Sequence, residues 1–326
     1  MLADKFGRNH TYLRIALTER CNLRCSYCMP EEGIQLSPKY TIMNTYEIIG
    51  IAKQFVNNGI TKIRLTGGEP LVRKNVDVII AELGKLGVDL GITTNAILAN
   101  RYIDVFKKAN LKSINISLDT LKKDRFFSIT KRKEFERTLN NIDLLYNEGF
   151  HLKINVVVTK GMNADEIIDF IELTKDRDWS IRFIEFMPFN GNKWEWDKIY
   201  SYKQILDDAT KHYGNTIINL DTEDNHTAKR HQIKGYKGNF AVISSMTDNF
   251  CSSCNRLRLT ANGKMKNCLF STGAADLLTA YRNNEDLTPI INTCLLKKQA
   301  KHGGIKELQN LSENDIQKRS MILIGG

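Results

Sequence analysis

A strand-like and a helix-like hydrophobic pattern alternate along the first 190 residues. Short runs of alternating or β-branched apolar residues are typical of strands, and they occur at 12–17, 62–66, 89–94, 113–118, 152–158 and 180–186. Apolar residues three and four positions apart predict helices at 45–58, 76–86, 99–109, 135–147 and 164–174, the last with Asn163 as its N-cap. Strands and helices therefore alternate along this part of the chain.

This alternation predicts a parallel sheet with helical crossovers. Six strand–helix units are fewer than the eight of a closed barrel, so we expect an α/β fold with an open, partial (βα)6 barrel. A doubly wound sheet is the competing architecture. The pattern changes after residue 190, where a helix at 202–213 precedes short strands at 216–219 and 240–245. We therefore expect a barrel at 1–190 and a smaller C-terminal α+β domain at 191–326.

Chemically distinctive side chains collect where the predicted strands end. They are Thr66, Thr93, Thr94, Ser117, Asp119 and Met187. The carboxyl ends of parallel strands carry the functional site in α/β folds. A cysteine-rich loop at 21–28 follows the first strand and should lie at the same edge.

Charge favours an anionic partner, because the chain carries 47 basic and 37 acidic residues, a net charge of +10. Nucleic acid and a polyphosphate both fit, but we find no nucleic-acid-binding motif, P-loop or dinucleotide fingerprint. No apolar run approaches the ~20 residues of a membrane helix. The N-terminal stretch lacks the apolar region of a signal peptide, so a cytoplasmic location is expected.

The first cysteine cluster, Cys21, Cys25 and Cys28, has the spacing C-x3-C-x2-C. Three thiolates suit a 4Fe–4S cluster with one iron left open for a small molecule. Structural zinc requires four ligands, and the nearest histidine, His10, precedes the strand. A disulfide arrangement is disfavoured because three is an odd number.

The second cysteine cluster, Cys251, Cys254 and Cys268, has the spacing C-x2-C-x13-C. An Asn-Gly hairpin turn at 262–263 would bring its third member back beside the first two. A zinc ribbon completed by Cys294 or a histidine is the alternative to a second iron–sulfur cluster, although the helical spacing around Cys294 predicts a buried thiol. Arg256 and Arg258 alternate along a strand and suit a phosphate group.

The first cysteine motif, with Tyr27 before its last cysteine, resembles that of the radical S-adenosylmethionine (SAM) superfamily, as does Gly67-Gly68-Glu69-Pro70 after the second strand. The resemblance implies that SAM binds the open iron through its amino and carboxylate groups. An electron from an external donor then splits SAM and yields a 5′-deoxyadenosyl radical.

The stretch from Phe250 to Leu259, the third cysteine and the terminal Gly325-Gly326 resemble one family of this superfamily, the GTP 3′,8-cyclases of molybdenum cofactor biosynthesis. The resemblance implies a lyase that removes hydrogen from C3′ of GTP and joins C3′ to C8. The product is (8S)-3′,8-cyclo-7,8-dihydroguanosine 5′-triphosphate, used by cyclic pyranopterin monophosphate synthase. A homodimer is expected, with no nucleic acid or membrane among its partners.

The resemblance also assigns residues to roles. The ligands of the two 4Fe–4S clusters are Cys21, Cys25, Cys28 and Cys251, Cys254, Cys268. The SAM contacts are Tyr27, Gly68, Ser117 and Met187. The GTP contacts are Arg14, Arg64, Thr93, Lys153, Arg256, Leu257 and Arg258. Catalytic roles fall on the first three cysteines, on Arg256 and Arg258, and on Gly325 and Gly326 of a tail that enters the active site.

The chain departs from the family at Ala96, where a glycine is usual, so a left-handed backbone there would be strained. The stretch between Cys268 and the tail is also shorter and more divergent. Two other functions compete with the cyclase. One is a radical SAM enzyme that acts on a peptide or tRNA, and the other is a metal-containing nucleic-acid-binding protein.

Overall fold

The computed structural model describes residues 1–30, 33–221, 227–248, 250–271, 273–305 and 320–325. The strands are β1 Tyr12–Ala16, β2 Lys62–Thr66, β3 Asp89–Thr94, β4 Ser113–Ser117, β5 His151–Val158, β6 Ser180–Glu185, β7 Ile217–Leu220, β8 Lys229–Ile233, β9 Asn239–Ile243, β10 Arg256–Leu259, β11 Lys264–Lys266 and β12 Ala275–Asp276. The helices are α1 Thr45–Asn57, α2 Val76–Gly84, α3 Ile103–Lys108, α4 Lys123–Thr130, α5 Phe135–Asn147, α6 Ile167–Glu172, α7 Tyr202–Tyr213, α8 Leu277–Arg282, α9 Leu287–Leu296 and α10 Met321–Ile324. None of these helices is both long and apolar enough to cross a membrane.

All of these strands form one sheet, in the order β12-β11-β10-β1-β2-β3-β4-β5-β6-β9-β8-β7. Strands β1 to β6 follow one another in chain order and pair in parallel. A doubly wound sheet would reverse this order at a switch point. Within the described residues the two end strands, β12 and β7, do not pair with each other. The predicted open, partial barrel is therefore confirmed.

The C-terminal part of the chain extends the sheet at both sides. Strand β10 pairs in parallel with β1, and β9 pairs in parallel with β6, so eight neighbouring strands run in one direction. Antiparallel strands complete both edges. The elements after residue 190 thus share a sheet with those before it, and the predicted domain boundary stays a prediction.

The two faces of the sheet differ in chemistry. Residues such as Leu13, Ile15 and Leu257 are fully buried in the core between the sheet and its helices. Their strand neighbours point the opposite way because side chains alternate along a strand. Arg14 and Arg258 occupy these alternate positions, so the interior face of the barrel is basic.

Some local predictions were wrong. Asn163 occupies the N-cap position of the 3-10 turn Ala164–Glu166, but its side chain makes no capping hydrogen bond. The side chain instead accepts from the backbone N–H of Thr159 at 2.9 Å and donates to the Asp119 carbonyl at 2.7 Å. It therefore ties together the ends of β4 and β5. Helix α4 was not predicted because only Phe126, Ile129 and Thr130 are buried along it, which is too short an apolar pattern. The predicted helix at 99–109 divides into a 3-10 turn and α3.

Candidate active site

The first cysteine cluster lies in the loop after β1. All three thiols are half-buried, and none of the chain's seven cysteines, all of which are described, forms a disulfide. The loop is held by α4, because the backbone N–H groups of Arg24 and Ser26 donate to the carbonyls of Thr130 and Ile129 at 2.9 and 3.0 Å. The unpredicted helix α4 therefore positions the predicted ligands.

Burial raises the pKa of each thiol in this loop, to about 11 for Cys21 and about 12 for Cys28. Neighbouring negative charges, including those of the other cysteines, raise these pKa values further. Such thiols bind as thiolates only where a metal displaces the proton. No three His, Cys, Asp or Glu side chains in the described ranges converge on a single metal ion. In a 4Fe–4S cluster each cysteine binds a different iron. Three cysteines that lie in one loop without converging on a single metal ion therefore fit such a cluster.

The Gly67-Gly68 turn packs directly against the cysteine loop. A Cβ at Gly68 would lie 2.4 Å from the Arg20 carbonyl oxygen and 3.1 Å from Cys21 Cβ. Gly67 has φ of +151°, and a Cβ there would lie 2.6 Å from the Thr18 carbonyl oxygen. Glycine is required at both positions, and Gly68 is therefore placed beside the first cluster.

Glu69, the next residue, is a buried carboxylate that sequence reasoning did not assign to the site. It accepts hydrogen bonds from Thr94 Oγ1 and from the Asn95 backbone N–H, both at 2.7 Å. Asn95 Nδ2 in turn donates to Asn22 Oδ1 in the cysteine loop at 2.7 Å. Burial raises the pKa of Glu69 to about 7. Ala96 has φ of +64°, so this residue adopts the left-handed backbone for which the sequence comparison indicated strain.

Asp119 is a second buried carboxylate at this edge. It accepts from the Val157 backbone N–H at 2.8 Å and lies beside the Tyr27 hydroxyl. Burial raises the pKa of Asp119 to about 6. Ser117 lies at the end of β4, two residues before it. Two buried carboxylates, Glu69 and Asp119, thus flank the first cysteine cluster, and both favour a positively charged ligand.

Six basic side chains, which we call the interior cations, come from five strands and face the inside of the barrel. They are Arg14, Arg64, Lys153, Arg182, Arg256 and Arg258. Arg14 lies opposite Arg64 on β2 and opposite Arg258 on β10. Arg182 was missed at the sequence level, although, like Lys153, it is a cation within an apolar strand.

The interior cations repel one another. Burial, and then the charge of its neighbours, lowers the pKa of Lys153 to about 8 and that of both Arg182 and Arg258 to about 10. Five of these cations form no ion pair with any carboxylate of the described residues: Arg64, Lys153, Arg182, Arg256 and Arg258. Uncompensated buried cations are unfavourable, so this cluster calls for a polyanionic ligand.

Tyr12 lies among these cations. Its hydroxyl accepts a hydrogen bond from Arg64 Nε at 2.6 Å, and the Arg256 guanidinium lies 5.8 Å from its ring centroid. Burial alone would raise the pKa of Tyr12, but the charges of Arg64, Arg14 and Arg256 outweigh it and lower the pKa to about 7. The residue opposite Arg64 on β3 is Gly91. A Cβ at that position would lie 3.0 Å from the guanidinium, so the glycine leaves the space that the Arg64 side chain occupies.

Polar groups lie beside the cations without partners of their own. Thr93 Oγ1, Asn115 Oδ1 and Asn155 Oδ1 are buried and accept or donate no hydrogen bond within the described part of the chain. Thr93, Asn115 and Lys153 are direct neighbours across three strands, so their side chains share one face. This row offers hydroxyl and amide groups to the non-ionic part of a ligand. Thr93 was predicted here, and the two asparagines were not.

The second cysteine cluster lies around β10 and β11. Cys254 comes just before the start of β10, where Arg256 pairs with Tyr12 at the start of β1. The predicted hairpin turn is present: Gly263 has φ of +70° and its N–H donates to the Thr260 carbonyl at 2.9 Å. The turn brings Cys268 close enough for its charge to raise the pKa of Cys251, after the larger effect of burial. Cys294 is a core thiol as predicted, with Sγ 3.8 Å from the Met265 carbonyl.

Met187 and Leu257 differ from the other predicted contacts. Met187 lies just after β6 and packs against the small apolar cluster of Ile199, Met246 and Phe270, which Trp194 and Cys268 also contact. The Leu257 side chain points into the core behind the sheet. The side chain is therefore turned away from the barrel interior, and any contact of Leu257 with substrate would come from its backbone atoms.

The C-terminal segment enters the barrel. The Gly325 carbonyl accepts a hydrogen bond from Arg258 Nη1 at 2.5 Å, and the backbone has φ of +72°. A Cβ at Gly325 would lie 2.8 Å from both Ala16 Cβ and Thr66 Oγ1. The tail therefore reaches the carboxyl ends of β1 and β2. Gly326 lies outside the described residues.

Comparison with known proteins adds independent findings. The radical SAM superfamily matches residues 15–174, and the family described as Molybdenum Cofactor Synthesis C matches residues 179–304. The chain is 42% identical to the GTP 3′,8-cyclase of Clostridium botulinum, covering 100% of both proteins. It is 44% identical to the mitochondrial GTP 3′,8-cyclase of Arabidopsis thaliana, covering 100% of this chain and 84% of that protein.

The chain spans about half the length of other curated relatives that it matches. It is 47% identical to molybdenum cofactor biosynthesis protein 1 of Dictyostelium discoideum, covering 100% of this chain and 52% of that protein. Among solved structures, Streptococcus suis SuiB bound to S-adenosylmethionine superposes with a TM-score of 0.61 at 17% identity, covering 89% of this chain and 69% of that one. This likeness concerns the fold.

Proposed function

The chain belongs to the family of GTP 3′,8-cyclases, within the radical SAM superfamily, and we propose that it converts GTP to (8S)-3′,8-cyclo-7,8-dihydroguanosine 5′-triphosphate. This reaction is the first step of molybdenum cofactor biosynthesis. The observation that carries the proposal is the set of interior cations, which lies between two cysteine clusters. Five of the six, Arg14 being left aside, form no ion pair with a carboxylate of the described residues. A nucleoside triphosphate supplies the missing negative charge.

The interior cations bind the triphosphate in this proposal. Arg64 and Arg258 approach from β2 and β10, and Arg182 and Lys153 approach from β6 and β5, so the anion is held from several sides. Guanidinium groups bind phosphate oxygens through paired N–H donors. Thr93 Oγ1, Asn115 Oδ1 and Asn155 Oδ1, which have no hydrogen-bond partner in the described residues, then face the ribose and the base. Because these cations point into the barrel, they suit a nucleotide better than a long nucleic acid.

Two 4Fe–4S clusters are the cofactors, held by Cys21, Cys25, Cys28 and by Cys251, Cys254, Cys268. When bound, the first cluster together with SAM supplies the one-electron chemistry that removes hydrogen from C3′ of GTP. Gly68 would bring the backbone close to the amino group of SAM, and Ser117, Met187 and Tyr27 would contact it. The buried carboxylates Glu69 and Asp119 favour its positive charges.

The C-terminal tail closes the site. Gly325 lies against the ends of β1 and β2, and its carbonyl holds the Arg258 side chain in place. A backbone segment at this position excludes water from the reacting atoms and fixes one triphosphate-binding arginine. Gly325 and Gly326 therefore act on the geometry of bound GTP.

The partners extend the proposal. An external electron donor would be needed to reduce the first cluster, and cyclic pyranopterin monophosphate synthase would consume the product. A homodimer and a cytoplasmic location remain predictions.

The test is an anaerobic reaction with dithionite, SAM and GTP that carries deuterium at C3′. Mass spectrometry of the 5′-deoxyadenosine formed should show one deuterium, because the hydrogen comes from C3′ of GTP. Unlabelled 5′-deoxyadenosine, formed equally when GTP is omitted, would contradict the proposal and direct the search to another substrate, such as a peptide or tRNA.

A further inference from the structure

Lys298 is a buried lysine beside the second cysteine cluster. Only 2% of the residue is exposed, whereas Lys297, its neighbour at the end of α9, is exposed. Lys298 Nζ lies 3.2 Å from the Arg256 carbonyl oxygen and 3.8 Å from Cys254 Sγ. No carboxylate in the described residues forms an ion pair with it. A buried ammonium group needs a negative partner, and the thiolate of Cys254 is the one within reach.

The segment 298–302 also supplies a hydrogen-bond donor to a second cysteine of this cluster. The backbone N–H of His302 lies 3.5 Å from Cys251 Sγ and donates to it. Donors from 298–302 therefore face two of the three sulfurs. Cys268 differs, because it packs against the apolar cluster of Ile199, Met246 and Phe270.

Arg8, near the N-terminus, holds this arrangement together. Its guanidinium donates to the carbonyls of Cys251 at 2.7 Å, Ala300 at 2.8 Å and Gln299 at 2.9 Å. Asp4 fixes the guanidinium in turn, through Arg8 Nε at 2.6 Å. The segment 298–302 is thus pinned to the cysteine loop from outside, so Lys298 has little freedom to point elsewhere.

We propose that Lys298 is a positioning residue for the second 4Fe–4S cluster, where its ammonium group donates to the Cys254 thiolate and makes the cluster easier to reduce. The inference rests on the second cluster of the proposed function. Hydrogen bonds and positive charge at the ligand sulfurs stabilise the reduced, more negative form of an iron–sulfur cluster. Lys298 brings a charged donor nitrogen within 4 Å of a sulfur of this cluster.

The experiment compares Lys298→Met with Lys297→Met in the full, reconstituted protein. Iron and sulfide per chain are measured first, and reduction of each cluster is then followed by an EPR-monitored redox titration. The Cys268→Ser protein, which is expected to hold only the first cluster, supplies the reference spectrum. We expect Lys298→Met to lower the ratio of reduced to oxidised second cluster about tenfold at a given potential, or about 59 mV for one electron. The first cluster should be unchanged.

Lys298→Arg keeps the charge and should restore the ratio to within a factor of about three. Loss of the second cluster in Lys298→Met but not in Lys298→Arg would also support the role. Three results would overturn it. The ratio could stay unchanged in Lys298→Met, or it could shift equally in Lys298→Met and Lys297→Met. The second cluster could also be lost in both Lys298→Met and Lys298→Arg. A wild-type chain with about four irons rather than eight would instead refute the second cluster itself, before any variant is compared.

Discussion

Replacing Gly325 by alanine tests whether the C-terminal segment must lie inside the barrel for turnover. The left-handed backbone at Gly325, with φ of +72°, costs a residue with a Cβ roughly 1–2 kcal/mol. The new methyl group would also lie 2.8 Å from Ala16 Cβ and Thr66 Oγ1, against about 3.5–4.0 Å for an unstrained carbon–carbon contact. Both effects act against the docked tail.

The backbone strain alone lowers the ratio of docked to released tail by a factor of roughly 5–30. The steric overlap adds to this, because the atoms it meets belong to the rigid ends of β1 and β2. Once Gly325 leaves, Arg258 Nη1 loses its carbonyl acceptor at 2.5 Å. We therefore expect the rate of cyclised product to fall about tenfold or more, with iron content unchanged.

The assay measures cyclised product by mass spectrometry and hydrogen exchange of residues 320–325 in the same protein. Gly87→Ala is the matched control, because Gly87 has φ of +69° but an added Cβ meets nothing within 4 Å. This control should lose about 1 kcal/mol of folding stability and keep its activity. Deleting Gly325 and Gly326 should abolish the product and leave both clusters intact.

Two outcomes would refute the reasoning. Full activity with faster exchange at 320–325 would mean that the docked tail is not needed. Full activity with unchanged exchange would mean that the barrel accommodates the methyl group and that the steric argument is wrong.

Other predictions concern the interior cations and the second cluster. Lys153 is charged below its pKa of about 8 and loses its charge above it, so GTP affinity should fall up to tenfold between pH 8 and 9. Binding titrations of Lys153→Met should lack this fall, whereas Tyr12→Phe, which removes a group with a pKa of about 7, should keep it. Arg256→Ala should weaken GTP binding without loss of iron. Cys268→Ser should lose about half of the iron, and equal behaviour of these last two variants would contradict the division of roles.

Much of the fold and the first ligands followed from local pattern. The spacing of Cys21, Cys25 and Cys28 lies within one loop, and the strand at 152–158 is β5 with one residue added. Arg14 and Lys153 stand out as cations inside apolar strands. Such features depend on residues a few positions apart, so no knowledge of the folded chain is needed to find them.

The tertiary structure decided which distant groups meet. Lys297 and Lys298 are indistinguishable in the sequence, yet one is exposed and the other lies against Cys254, 44 residues away along the chain. Arg182 joins the interior cations only because β6 pairs with β5 in a particular register. The sequence by itself determined the strands and most of the helices of the first 190 residues, as well as the cysteine loops, since hydrophobic periodicity and spacing are local. The outer contacts of the second cluster and the docked tail arise from long-range pairing across the sheet, which local pattern does not encode.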